Sequence, residues 1–330
     1  MSILRFDELV ELARAFQVSR TLLTAVELDI FSAVGRGATA SEVAARLKTD
    51  CRATEMLLNA LVALGALRKR DGTFRNTAAT ARYLADSSPE SQRLALMHAV
   101  SLWDAWSELT DCVRLGRPRN LQGRRRSREQ TAAFIAAMHS NAASRAPALV
   151  RAVGAAKVRR MLDVGGGSGA YSIAFAQANP ALEAVVFDRA EVLPIAEQHI
   201  RAAGLGERIR TQQGDLRKDD LGEGYDLVLL SAICHMLSPE ENQDLLRRSF
   251  RALAAGGRVV IRDFILSADK TRPQRGALFS LNMLVNTEGG ASYSRDEYQQ
   301  WLRAAGFHPI RYIGMADPGS GLMLGTKPRG

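Results

Sequence analysis

Cysteine is scarce in this sequence, with three in 330 residues. Cys51, Cys112 and Cys234 lie far apart and form no CxxC pair. Neither a zinc ribbon nor a disulfide framework is therefore expected, and the cytoplasm is the expected compartment. Long apolar runs are also missing. None reaches the roughly 18–20 residues that a helical membrane span needs. The opening MSILRFDELVELARAF carries charge through every turn, so a secretory leader is not expected there. The five histidines share no ligand spacing, and no metal site is expected from them. No long repeat or low-complexity tract occurs.

What is present suits a folded protein: 46% hydrophobic and 24% charged residues, enough apolar side chain to fill a core. The net charge is +9. Much of the excess sits in Arg117 to Arg128 (RPRNLQGRRRSR), six arginines without an acid. That stretch reads as a nucleic-acid surface or as a solvated loop. The lack of interleaved aromatics favours the loop.

The pattern changes near residue 157. Before it, apolar residues recur at helical spacing: Leu9, Leu12, Ala13, Phe16, then Leu22, Leu23, Val26. Residues 40–67 read as helix, turn, helix, with Thr39 or Ser41 as the first cap. RKRDGTFRNT follows as a hairpin turning at Asp71-Gly72. This is a winged-helix order. After residue 157, short apolar strands alternate with helices, which predicts an α/β, doubly wound, Rossmann-like parallel sheet. The domains are expected at 1–100 (winged helix), 101–156 (helical linker lining a substrate pocket) and 157–330 (cofactor-binding).

The most informative segment is LDVGGGSG, residues 162–169, after a strand and before a helix. Gly165, Gly167 and Gly169 permit a tight turn and close approach to a ligand. The spacing is GxGxG rather than the GxGxxG of dinucleotide binders. Asp163, two residues before the first glycine, would repel a pyrophosphate but suits a cationic amino-acid end. Asp188 ends the second strand and suits ribose hydroxyls. Asp215 follows the third strand and suits the adenine side. Leu216 beside it and Ser231, ending the fourth strand, are counted with them.

On these residues the chain resembles the class I S-adenosylmethionine-dependent O-methyltransferases of the catechol/caffeate and hydroxyneurosporene type. LDVGGGSG (162–169), VVFDRAEVLPIA (185–196), GDLRKDDLGEGYDLVLL (214–230) and SRDEYQQWLRAAGF (294–307) carry the likeness, over nearly the whole chain. It implies S-adenosyl-L-methionine as cofactor, S-adenosyl-L-homocysteine as product, a small-molecule acceptor, and a homodimer formed through the N-terminal domain. It also implies a catalytic histidine after the fourth strand, matched by His235, and an acid ending the fifth, matched by Asp263. The family's His-Asp-Trp reads His235-Met236-Leu237 in this chain. Its second acid, from a Gly-Gly-Lys-Glu-Arg-Thr loop, is replaced by Ser292 in Gly289-Gly-Ala-Ser-Tyr-Ser294. The alternative reading of His235 is a strand-end histidine bonded to backbone. The acceptor pocket is matched by Trp103, Phe134, Met138, Met283 and Asn286; helical spacing makes helix core the other reading of these.

Three further functions are weighed against O-methylation. The altered loops leave room for C- or N-methylation, or for a non-methylating reaction, on the same fold. Cofactor binding without catalysis is another. A winged-helix DNA regulator is disfavoured: residues 52–64 offer only Arg52 as a basic group, and a groove-reading helix needs several donors. No nucleic-acid or membrane partner is expected.

Overall fold

The structure, a computed structural model, describes residues 4–121, 128–316 and 319–329. Most of the basic cluster, 122–127, lies outside the described residues. The chain divides into two compact units, Met1–Trp103 and Asp104–Gly330.

The first unit opens with α1 (Phe6–Glu27) and α2 (Ile30–Val34). Then come α3 (Ala40–Leu47), α4 (Cys51–Ala63), β1 (Leu67–Arg70) and β2 (Thr73–Asn76). Thr39 is the cap of α3: its hydroxyl accepts from Glu42 N–H, and Glu42 accepts from Thr39 N–H at 2.7 Å. Such a box contributes about 1 kcal/mol. The hairpin turns at Asp71 and Gly72, whose φ values of 49° and 75° are the positive pair that a twisted two-residue turn requires. α5 (Ala78–Tyr83) and α6 (Arg93–Ser101) follow. Val26, Ile30, Phe31, Val34, Leu58, Leu61 and Phe74 form the core of this unit.

The second unit begins within α7 (Trp103–Ser107) and continues with α8 (Leu109–Leu115) and α9 (Arg128–Val153). Strands and helices then alternate: β3 (Arg160–Val164), α10 (Ala170–Ala178), β4 (Glu183–Asp188), α11 (Leu193–Ala202), β5 (Ile209–Gln213), β6 (Tyr225–Ser231), α12 (Pro239–Ala252) and β7 (Leu253–Leu266). α13 (Gln274–Asn286), β8 (Tyr293–Ser294), α14 (Arg295–Ala304), β9 (Ile310–Gly314) and β10 (Ser320–Thr326) complete it. The sheet order is β5-β4-β3-β6-β7-β10-β9, with β8 beside the end of β7. β3 to β7 are mutually parallel, while β10 runs antiparallel to both β7 and β9. The doubly wound parallel sheet expected from the sequence is thus present, closed at one edge by antiparallel strands.

Alternation along the strands builds two cores. Leu162, Val164, Val228, Leu230, Val259 and Ile261 face α12 and α14. Met161, Leu227, Leu229 and Val260 face α9, α10 and α11. Side chains of opposite parity bury on both faces, as in a sheet covered by helices on each side. The strand order reverses between β3 and β6. Ligands bind at such a switch point, beyond the carboxyl ends of the strands.

Candidate active site

The loop after β3 forms the floor of the site. Gly165, Gly167 and Gly169 have φ of 65°, 57° and 74°, the left-handed region that glycine enters without a Cβ clash. A Cβ on Gly165 would overlap the Ile233 side chain, and Leu216 lies within 3.5 Å of that same point. The loop is tied on both sides. Gly167 N–H donates to Asp188 Oδ2 at 2.8 Å. Ser168 Oγ meets His139 Nδ1, from α9, at 2.9 Å. His139 in turn stacks on His199 of α11, with ring centres 3.7 Å apart.

The predicted cofactor acids fall into different places. Asp163 is buried and accepts a 2.8 Å hydrogen bond from Ser172 Oγ at the start of α10. Burial pushes its carboxyl up to about 6, since a charge cut off from water favours its neutral form. Asp188, half-buried at the end of β4, accepts from Gly167 N–H and from Arg189 N–H at 2.8 Å. Burial raises it, and those two N–H groups pull it part of the way back. Asp215 accepts from Arg217 N–H at 2.9 Å and is half-buried. Ser231 ends β6 with its hydroxyl buried and without a hydrogen-bond partner.

The catalytic candidates meet. His235 sits in a single 3₁₀ turn, Cys234–Met236, just past β6. Its Nδ1 lies 2.7 Å from Asp263 Oδ1, and its backbone N–H donates to Asp263 Oδ2 at 3.1 Å. Phe264 N–H adds a 2.8 Å bond to Oδ1. The ring therefore binds a carboxylate, not the backbone expected of a structural strand-end histidine. Asp263 is 2% exposed; three donors answer a buried carboxylate's need for partners. Nε2 of His235 makes no hydrogen bond among the described residues. Ser292, in the position of the absent second acid, is 1% exposed with an unpartnered hydroxyl.

Phe279 of α13 packs beside the ring, and the acceptor-side candidates lie on α13, α9 and α7. Phe279 meets His235 edge-on at 4.8 Å and Phe264 at 4.3 Å. Met283 is buried on α13 and Asn286 half-buried at its end. The Asn286 amide donates to Asn282 O at 2.9 Å, and Trp106 Nε1–H donates to Asn282 Oδ1 at 2.9 Å. Phe134 and Met138 are half-buried on α9, Met138 next to His139. Trp103 belongs to the first unit, with the Arg20 guanidinium 5.2 Å over its ring. Sequence reasoning missed Phe279, Asn282, Trp106 and His139. Asn282 lies one turn before Asn286 and His139 directly follows Met138, the available signals for those two.

These residues suit S-adenosylmethionine. A Cβ on Gly214 would collide with the Phe187 ring, so the backbone after β5 packs directly on the end of β4. The unsatisfied Ser231 hydroxyl awaits a polar partner, and buried polar atoms rarely lack one. Among the described residues no cluster of three His, Cys, Asp or Glu forms that would hold a metal ion. None of the described helices is long and apolar enough to cross a membrane.

Comparison with known proteins agrees. An O-methyltransferase domain matches residues 106–308, and an O-methyltransferase dimerisation domain matches residues 10–86. The 3-hydroxy-5-methyl-1-naphthoate 3-O-methyltransferase of Streptomyces sahachiroi is 36% identical, covering 97% of this chain and 94% of that one. The L-tyrosine C(3)-methyltransferase of Streptomyces lavendulae is 31% identical over 96% of this chain and 90% of its own. The crystal structure of human N-acetylserotonin methyltransferase in complex with S-adenosylmethionine has a TM-score of 0.86 at 28% identity, covering 99% of each chain. With both units matched and relatives aligned over nearly their full length, this chain belongs to the S-adenosylmethionine-dependent O-methyltransferases that join a dimerisation domain to a Rossmann-like catalytic domain.

Proposed function

We propose that this enzyme methylates a phenolic hydroxyl of a small aromatic acceptor, with His235 as general base and Asp263 as its orienting partner. The observation that carries the reading is the 2.7 Å contact between Nδ1 and Asp263. Both Asp263 oxygens accept backbone N–H groups, from His235 at Oδ2 and Phe264 at Oδ1, an arrangement that suits a carboxylate, so the hydrogen between the pair is assigned to Nδ1. Nε2 is then left with a lone pair. A phenol, with a pKa near 10, is mostly protonated at neutral pH. S-adenosylmethionine supplies an electrophilic methyl group on sulfur. Nε2 takes the phenol proton, and Asp263 steadies the imidazolium that results. Help of this kind contributes ~10²–10⁴-fold. Alignment of the acceptor and exclusion of water supply the rest.

In this reading the backbone of residues 165–169, Asp188, Asp215, Leu216 and Ser231 hold the cofactor. Asp163, turned inward to Ser172, braces the loop from behind instead of touching the ligand. Met283, Asn286 and Met138, with Phe279 and Asn282, line the acceptor side. Phe134 is kept as a packing residue of that wall, and Trp103 is given no part. A flat apolar acceptor suits methionine and aromatic surroundings, and the naphthoate relative acts on one.

A second reading, methylation at ring carbon, has a specific basis. The Streptomyces lavendulae relative is a tyrosine C(3)-methyltransferase, and a deprotonated phenol is nucleophilic at oxygen and at the adjacent carbon alike. The same base serves both. A panel of hydroxynaphthoates and tyrosine, incubated with S-adenosylmethionine and read by mass spectrometry, separates them. A gain of ~14 Da on oxygen supports the first reading and a gain on carbon the second. No transfer to any phenol, with cofactor bound, contradicts both.

The homodimer implied by the dimerisation domain is assigned to α1. Phe6, Leu9, Leu12 and Phe16 are 77%, 49%, 62% and 57% exposed in the single chain. Spaced three or four apart, they form one apolar stripe, as a helix would show before pairing with a second copy.

A further inference from the structure

We propose that Asn242 and Tyr293 are positioning residues for His235, clamping the turn that carries it. The proposal rests on His235 as the base. Four observations converge on that turn. It is a single 3₁₀ turn, closed by Met236 N–H to Ile233 O at 2.9 Å and Leu237 N–H to Cys234 O at 3.2 Å. Such turns have poor hydrogen-bond geometry and hold weakly by themselves. It starts from Ala232, a non-glycine residue at φ 58°, a conformation that persists only where the surroundings enforce it.

Asn242 supplies the enforcement from α12. It is fully buried, and its Nδ2 lies 2.9 Å from Cys234 O, 3.2 Å from Leu237 O and 3.0 Å from Ser238 O. One amide thus spans both ends of the turn. Three of the groups its Nδ2 meets there are carbonyls, so the position needs a donor. Its own Oδ1 is buried without a partner, a cost that a residue kept for packing alone would not carry.

Tyr293 supplies the second jaw. Its hydroxyl donates to Leu237 O. Its ring is fixed edge-on against Trp301 at 4.8 Å and Tyr298 at 6.0 Å. The loop before it closes on the turn as well. Gly290 N–H donates to Thr287 Oγ1 at 3.0 Å, and a Cβ on Gly290 would overlap the His235 carbonyl oxygen. This Gly289–Ser294 loop brings no carboxylate to His235. Its contribution is mechanical: it fixes the turn from outside while Asn242 fixes it from within. Asp263 sets the ring through Oδ1 and holds the His235 backbone N–H through Oδ2.

The test uses full-length protein labelled with ¹⁵N-histidine and saturated with S-adenosylhomocysteine. The His235 ring signals are assigned by their loss in His235→Ala. Wild type is expected to show one tautomer, hydrogen on Nδ1. Asn242→Ala should mix the tautomers. Tyr293→Phe, which removes one donor and keeps the ring, should do the same to a smaller extent. Affinity for S-adenosylhomocysteine should stay within twofold, and turnover of whichever panel phenol is methylated should fall about tenfold with KM little changed. Unchanged ring signals in both variants overturn the proposal. So does a collapse of S-adenosylhomocysteine binding in both, which would mark the residues as general scaffold. Wild-type turnover in His235→Ala refutes the base instead, a result separate from the ring signals.

Discussion

Two buried carboxylates in this protein have opposite surroundings, and their expected behaviour differs accordingly. Asp263 meets three N–H donors. Replacing it with Asn keeps the shape but offers the ring an amide that can also donate, which permits the wrong tautomer. Asp263→Asn is expected to lower turnover by about a hundredfold, with S-adenosylhomocysteine affinity within twofold by calorimetry. Asp163 has one side-chain donor and a carboxyl pushed up to about 6 by burial. A raised acid is favoured in its protonated form on folding. Its contribution is present below pH 4 and is lost as pH rises through about 6. The gap from the ordinary value of 3.8 corresponds to roughly 3 kcal/mol at most. Ligand-free Asp163→Asn should therefore melt above wild type at pH 8 and level with it near pH 4; equal melting at both values refutes this. His235 and Asp263 were picked out by the family likeness, which places a histidine after the fourth strand and an acid late in the fifth; Asp263 lies within β7. Asn242 and His139 were not, since helical spacing does not say which polar residue turns toward a carbonyl or a loop.

Among the elements, the β3 loop and β4 act as one piece through the Gly167–Asp188 bond. Asp188→Ala removes both that tether and the carboxylate beside the site. S-adenosylhomocysteine affinity should fall at least tenfold, measured by calorimetry, while the fold survives. Most elements could be read beforehand: α10 begins directly after Gly169 as its glycines suggest, and α12 begins at Pro239 behind its Ser238 cap. The antiparallel edge could not be read from periodicity. Its signal lies in the connection, because the few residues between Gly314 and Ser320 are too short for a crossover and force a hairpin. The basic stretch Arg117–Arg128 marked a break between α8 and α9, whereas the parting of α7 from α8 was hidden, since local pattern does not show it.

For the whole molecule, the apolar stripe on α1 needs a partner surface. Charging it with Leu12→Glu and Phe16→Glu together is expected to yield monomers by light scattering at micromolar concentration, with the second unit still binding S-adenosylhomocysteine. A dimer that persists would place the interface elsewhere. The stripe was visible in the sequence as helical periodicity, but its exposure was not, because the same pattern also describes a helix buried in its own core. The central claim remains that His235 takes a phenol proton during methyl transfer. The most direct measurement is single-turnover methyl transfer to the phenol panel, comparing wild type with His235→Ala at saturating S-adenosylmethionine. A loss of about a hundredfold or more, with cofactor affinity held within twofold, is the expected result. A variant that transfers methyl at the wild-type rate would contradict it.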